Sequence, residues 1–221
     1  MTVVSSIKEF MMSELEPTIF IIDGDGEARN SLRRLLESVR WRTETFATAS
    51  AFLDRYNSEM PGCLILEVRL RDLSGVELHR RLRRDGSRTP VIFLTQYADV
   101  ATAVDAMRQG AFHFLQKPVR EQYFLDQVQA AVAKDLRERT ENARRQAAYA
   151  RLERLSSRER GILAEILAGR TNKQAACRLG VTVKTIEFHR ANIMKKSGVD
   201  SLAELIYLVF RSGWEPPKNC G

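Results

Sequence analysis

Residues Cys63–Arg84 read CLILEVRLRDLSGVELHRRLRR, and this stretch decides the fold of the first half of the chain. Cys63–Val68 is a short apolar run of the kind buried on both faces of a sheet. The turn residues Asp72, Ser74 and Gly75 follow, and Ser74–Arg84 places Val76, Leu78 and Leu82 on one side of an arginine-rich helix. The same alternation repeats on either side. TIFII (Thr18–Ile22) ends at Asp23-Gly24-Asp25-Gly26, and Glu27–Val39 carries apolar residues at helical spacing. A weaker strand at Thr43–Phe46 precedes a helix from Ser50. VIFLT (Val91–Thr95) precedes a helix over Val100–Gln109, and FHFLQ (Phe112–Gln116) stops at Lys117-Pro118 before a helix near Glu121. Five short strands alternating with helices predict a doubly wound five-stranded parallel α/β sheet covered on both faces. Ligands in such sheets bind at the carboxyl ends of the strands, which here carry Asp23, Glu67, Thr95 and Lys117.

Glu121–Leu155 lacks proline and glycine and reads as one long helix. Its first part packs on the sheet domain, and its charged, alanine-rich remainder serves as a linker. From Ser156 the texture changes. Ser156-x-x-Glu159 and Thr171-x-x-Gln174 are helix-start signatures, Gly169, Gly180 and Gly198 close helices, Thr182 caps a third helix over Val183–Ser197, and Ser201 begins a fourth. Two short helices around a tight glycine turn outline a helix-turn-helix. In the third helix, Val183, Ile186 and Ile193 are expected in the core. Lys184, Thr185, Glu187, His189, Arg190, Asn192, Lys195 and Lys196 remain for the outer face, where such a helix reads base edges and holds phosphates. On residues alone, a solvated charged face is an equal reading.

The chain has 221 residues, 44% hydrophobic and 29% charged, which fits a globular chain of one large or two small domains. The net charge of +7 is concentrated: residues 151–221 hold 13 Lys and Arg against 7 Asp and Glu, while residues 1–120 hold 17 against 16. A local basic excess is the footprint of a polyanion partner. The longest apolar run, Leu205–Phe210, is far short of the ~18–20 residues of a membrane span, so no membrane partner is expected. Cys63, Cys177 and Cys220 match neither a disulfide framework nor a zinc spacing, and with no secretory signal at the N-terminus the reading is cytoplasmic. The expected layout is an extension over 1–16 (Met11 or Met12 being alternative starts), a sheet domain over 17–133, a helical linker over 134–154, a helical domain over 155–214 and a tail over 215–221.

The segment LSSRERGILAEILAGRTNKQAACRLGVTVKTIEFHRANIMKKSGV resembles the LuxR-type helix-turn-helix of bacterial transcription regulators. The matching positions include Leu155, Glu159, Gly169, Asn172, Lys173, Val183, Thr185, Ile186, His189, Arg190 and Lys196. The resemblance implies that Val183–Ser197 is the recognition helix, with double-stranded promoter DNA as ligand. It also implies that Ser201–Arg211 pairs with its copy in a homodimer. The first half is similar to the receiver of NarL/FixJ-family response regulators, a flavodoxin-like fold. The similarity rests on the strand ending in Asp23, the Leu73-Ser-Gly-Val-Glu-Leu run, Thr95 and Phe112-x-Phe-Leu-x-Lys117-Pro118. It implies a cis Lys117–Pro118 bond, Phe114 as switch aromatic, Thr95 as the phosphate-contacting hydroxyl, and a histidine kinase or another regulator as partner. The whole resembles a regulator, not an enzyme.

The departures concern the phosphorylation site. The family's acceptor aspartate is here Glu67, and one of two adjacent metal-binding acids is Gly24; Asp25, one residue further on, is an imperfect substitute. Magnesium demands octahedral oxygen geometry at ~2.0–2.1 Å, so no cofactor is expected beyond a magnesium held weakly at Asp23 and Glu67. Three readings stay open: Glu67 partly mimics a phosphorylated acceptor, the receiver is kept as an interaction surface, or Glu67, Asp25 or Asp72 is still phosphorylated. A flavin- or phosphate-binding enzyme domain is the rival class, because doubly wound sheets host both. Cys177 is expected as a buried thiol. Arg80, Arg81, Arg83 and Arg84 are expected as a solvated helix face, with a partner contact there as the sharper alternative.

Overall fold

The computed structural model describes residues 16–215, so the expected N-terminal extension and the tail lie outside the described residues, apart from Glu16 and Glu215. The described chain divides into two compact units after Arg139.

The first unit holds strands β1 (Thr18–Ile22), β2 (Arg42–Phe46), β3 (Gly62–Leu66), β4 (Val91–Thr95) and β5 (His113–Gln116). They form one parallel sheet in the order β2-β1-β3-β4-β5. Between them run helices α1 (Gly26–Ser38), α2 (Ala49–Leu53), α3 (Gly75–Arg84) and α4 (Val100–Arg108). Helix α5 (Glu121–Glu153) follows β5 and continues into the second unit.

Side-chain alternation along the strands splits the core in two. Ile19, Ile21, Cys63, Ile65, Ile92 and Leu94 bury against Leu36 of α1 and Phe124, Val128 and Val132 of α5. Phe20, Ile22, Leu64, Leu66, Val91 and Phe93 bury against Phe52, Leu78, Leu82 and Ala106 of α2, α3 and α4. β1, β3 and β4 are buried along their whole length, which explains their unbroken apolar spelling. The register pairs Ile22 with Leu66, so Asp23 and Glu67 leave neighbouring strands at the same level. Gly75 lets α3 approach that level: a Cβ there would lie 2.2 Å from the Glu67 carbonyl oxygen.

The arginines of α3 divide. Arg80 and Arg84 pair with Glu77 on the surface. Arg83 is half-buried rather than solvated, donating to the carbonyls of Ser87 (2.8 Å) and Gly110 (3.1 Å) and to His79 Nε2 (3.1 Å).

The second unit contains the end of α5 and helices α6 (Ser157–Leu167), α7 (Asn172–Leu179), α8 (Val183–Ser197) and α9 (Leu202–Ser212). Both expected capping boxes form, at Ser156/Glu159 and Thr171/Gln174, and Gly180 and Gly198 end their helices in the left-handed region. The core gathers Leu152, Leu155, Ile162, Leu163, Ile166, Ala175, Ala176, Ile186, Ile193, Leu205, Val209 and Trp214.

The stretch 134–154 lies almost wholly within helix α5, and side chains along it are packed. Asp135 is buried and accepts from the Gly62 amide at 2.9 Å, and Arg139 clamps the carbonyls of Ser58, Glu59 and Met60 in the first unit. Ala148 and Leu152 are buried in the second unit, Leu152 within its core. Val183, expected in the core with Ile186 and Ile193, lies outside it. As the first residue after the cap it projects past the core and is 39% exposed. Cys177 is exposed, because Ala175, Ala176 and Leu179 supply the inner face of α7.

Candidate functional site

At the carboxyl edge of the sheet, Lys117 reaches from the β5–α5 loop between two acids. Its Nζ donates to Asp23 Oδ2 at 2.6 Å and to Glu67 Oε2 at 3.1 Å. Both acids are buried, at 3% and 7% exposure. Their other oxygens are also engaged. Asp23 Oδ1 accepts from the Asp25 amide at 2.9 Å, and Glu67 Oε1 accepts from the Val68 amide at 2.8 Å. Burial pushes the Lys117 pKa down, but the hydrogen bonds and charges of Asp23 and Glu67 outweigh it, and the net shift is upward. The Lys117–Pro118 bond is cis, as the resemblance implied.

The other residues expected here fall into two groups. Thr95 is fully buried at the end of β4, with Oγ1 accepting from the Tyr97 amide at 3.2 Å. Phe114 is half-buried, its ring 5.7 Å from that of Phe93. Arg69 stacks on Tyr97 at 4.2 Å, joining the loops that carry Glu67 and Thr95; nothing in the strand and helix spacing marked this pair.

Asp25 and Asp72 are spent elsewhere. Asp25 is exposed and caps α1, Oδ1 accepting from Glu27 N (2.9 Å) and Ala28 N (3.3 Å), bonds that lower its pKa. Asp72 accepts from Ala49 N, Ser50 N and Ser50 Oγ at the start of α2, and its pKa falls to about 2, chiefly through the Ser50 amide. Among the described residues, no group of three or more His, Cys, Asp or Glu side chains is arranged to hold a metal ion.

In the second unit α8 docks through Ile186 and Ile193. Lys184, Glu187, Phe188, Ala191 and Lys195 are exposed along its outer stripe. Thr185, His189, Arg190 and Asn192 flank the stripe, half-buried. Lys196 turns the other way and donates to Glu159 Oε2 at 2.7 Å. Asn172 and Lys173 form the first turn of α7, with Lys173 exposed. Phe188, an apolar residue outside the polar set expected on the outer face, is 64% exposed. On α9, Leu202, Ile206, Tyr207 and Phe210 are exposed, with Phe210 at 84%.

An α/β unit with a lysine-closed acid pocket, carried with a helix-turn-helix module, defines a two-component response regulator that binds DNA and regulates transcription. Residues 19–129 match the response regulator receiver domain family, and residues 153–209 match the luxR family of bacterial regulatory proteins. The chain belongs to this receiver-plus-LuxR response-regulator family, of the FixJ type. It is 38% identical over 204 residues to the transcriptional regulatory protein TdiR of Thauera aromatica, covering 92% of this chain and 89% of that protein. It is 36% identical over 195 residues to the transcriptional regulatory protein FixJ of Bradyrhizobium diazoefficiens, covering 88% and 95%. Among solved structures it is similar to the response regulator StyR, with 37% identity, a TM-score of 0.83, and 89% of this chain and 99% of that one covered. Among the described residues no helix is long and apolar enough to cross a membrane.

Proposed function

We propose that this response regulator controls its promoters as a homodimer whose receiver is set by the internal Asp23–Lys117–Glu67 bridge rather than by phosphorylation. The observation that carries the reading is the Lys117 ammonium held by two buried carboxylates, 2.6 Å from Asp23 and 3.1 Å from Glu67. Phosphoryl transfer depends on positioning the acceptor and neutralising charge. Glu67 displaces its carboxylate by a methylene from the position an aspartate would give it, and it is already neutralised. The donor set does not fit the magnesium ion of the family either. Gly24 supplies no carboxylate, Asp25 caps a helix, and Lys117 occupies an oxygen of each remaining acid. Glu67 reaches toward Lys117 with one charge where an acyl phosphate carries nearly two, so the bridge imitates phosphorylation only in part.

At the DNA, the outer stripe of α8 enters the major groove. Glu187, Phe188 and Ala191 face base edges, Lys184 and Lys195 reach phosphates, and Thr185, His189, Arg190 and Asn192 flank them. Asn172 and Lys173 meet the backbone at the start of α7. The exposed face of α9, Leu202, Ile206, Tyr207 and Phe210, pairs the two copies. A second reading, in which the receiver acts by docking another regulator, is favoured by one observation: Tyr97, Val100, Val104 and Met107 are all exposed on and just before α4.

Wild type and Glu67→Asp, each with and without acetyl phosphate and magnesium, separate these readings by intact mass, light scattering and DNA titration. Wild type is expected to remain at its unmodified mass and to bind DNA as a dimer regardless of phosphodonor. An ~80 Da adduct accompanied by a gain in DNA binding overturns the proposal. Dimerisation and DNA binding that appear only in a mixture with another regulator favour the second reading.

A further inference from the structure

Glu159 sits in the third position of α6 with 3% of its surface exposed, an unusual burial for a carboxylate unless it is paired. Its Oε2 accepts two hydrogen bonds. One comes from the Ser156 amide at 2.7 Å and closes the capping box; the other comes from Lys196 Nζ, also at 2.7 Å, in the last turn of α8. Thirty-seven residues separate the partners, so the pair ties the end of the recognition helix to the start of α6. The remaining anchors of α8 are apolar: Ile186 and Ile193 are fully buried. Apolar contact is non-directional and sets the rotation about the helix axis less sharply than a hydrogen bond of fixed geometry. Among the described residues, no other side-chain hydrogen bond or ion pair joins α8 to another helix. Two further polar atoms on its inner side, His189 Nδ1 and Ser197 Oγ, are buried without a partner.

We infer that Lys196 is a positioning residue: its bond to Glu159 fixes the rotation and depth of α8, and so the register of the reading stripe, instead of holding a DNA phosphate. Lys195, one residue earlier and exposed about 100° around the helix, is then the phosphate contact at this end. The two roles leave different marks. Losing a phosphate contact weakens binding to all sequences alike and reduces the salt slope by about one. Losing a positioning bond lowers the preference for the correct sequence and leaves the slope alone.

The test uses the full-length protein, a duplex selected by the wild type from random-sequence DNA, and a scrambled duplex of equal length. Each is titrated over a range of salt concentrations. Glu159→Gln is the decisive variant, because it keeps an acceptor for Ser156 and frees the Lys196 ammonium. It is expected to reduce the selected-over-scrambled preference roughly tenfold, with an unchanged salt slope. Lys196→Ala should do the same, the two changes together should cost little more than either alone, and Lys196→Arg should retain most of the preference. Circular dichroism shows that each variant is folded. Glu159→Gln that binds both duplexes as well as wild type or better overturns the inference. So does Lys196→Ala with a slope lowered by about one and an unchanged preference.

Discussion

Each unit holds a lysine against buried carboxylate, and the two pairs serve opposite ends. In the receiver, Lys117 is 15% exposed and shared by Asp23 and Glu67, so the ion bridge fills the place where a ligand of this fold binds. In the helix-turn-helix, Lys196 is 42% exposed and held by Glu159 alone, away from the outer stripe of its own helix. The first pair closes a site and the second keeps a surface open. The difference lies in where the ammonium comes from. Lys117 arrives from a loop at the strand ends, whereas Lys196 lies on a flank of α8 and reaches Glu159 from beside the exposed stripe.

Removing the first lysine gives the largest expected effect. Lys117→Met leaves Asp23 and Glu67 buried without a counter-charge, and breaking such a pair typically costs about 3–5 kcal/mol. Trp41 packs on the core of the first unit and Trp214 in that of the second, so urea unfolding followed by fluorescence in a Trp214→Phe background reports the receiver. Adding Glu67→Gln should recover part of the loss. Equal stability of Lys117→Met and its parent would mean that the bridge is not formed in solution. Since the folded-state pKa of Lys117 is raised, its contribution is complete below the unfolded value of ~10.4 and fades as pH rises through the higher folded one.

Much of this frame could be read from spacing. The five strands, the caps Ser156, Thr171, Thr182 and Ser201, and the meeting of Asp23, Glu67 and Lys117 at the strand ends follow from period, from capping signatures and from the rule about strand ends. Contacts made by single long side chains could not be read in the same way. Asp72 is polar and near the site, yet its carboxylate is aimed at the start of α2. Arg83 belongs to an arginine run that reads as solvated, but it reaches two carbonyls and a buried histidine. Asp135 and Arg139 lie in a charged helix, and only the fold brings the 58–62 backbone against them. Val183 and Cys177 show the limit of periodicity at helix starts and in a short helix, where one turn more or less decides whether a side chain meets the core.

The next effect separates the units by pH. His79 has no exposed surface, and burial, reinforced by the Arg83 charge, lowers its pKa to about 4. The unfolded chain takes up this proton near pH 6.5 while the folded receiver does not. Stability is therefore complete above that pH and declines as pH falls toward 4, by roughly 2–3 kcal/mol. The second unit has no such buried histidine among its described residues. Urea midpoints between pH 7 and 4.5 should fall more for Trp41 than for Trp214, and His79→Leu should flatten the Trp41 curve. Parallel curves for the two tryptophans would remove the contrast.

Within the second unit, the outer stripe of α8 is expected to divide by chemistry. Phe188→Ala removes an exposed ring suited to apolar contact with a thymine methyl, and a change of about 1–2 kcal/mol in preference among binding sites should follow, with the salt slope preserved. Selection from random DNA by both proteins checks it, and identical selected sites would take Phe188 out of the reading face.

The smallest free-energy change is expected at Lys195, where the slope rather than the affinity at one salt concentration is informative. Its ammonium is exposed at the end of α8, so its removal leaves no buried charge, and protein and DNA lose one screened contact. Lys195→Ala should lower the slope of log Kobs against log salt by about one on selected and scrambled duplexes alike. Set beside Glu159→Gln, which is expected to change preference and not slope, it asks whether the two adjacent lysines divide the work. If both variants shift the slope, the inner pair opens in the complex and Lys196 turns to the phosphates. If neither does, the phosphate contacts lie with Lys184 and Lys173 at the other ends of the module.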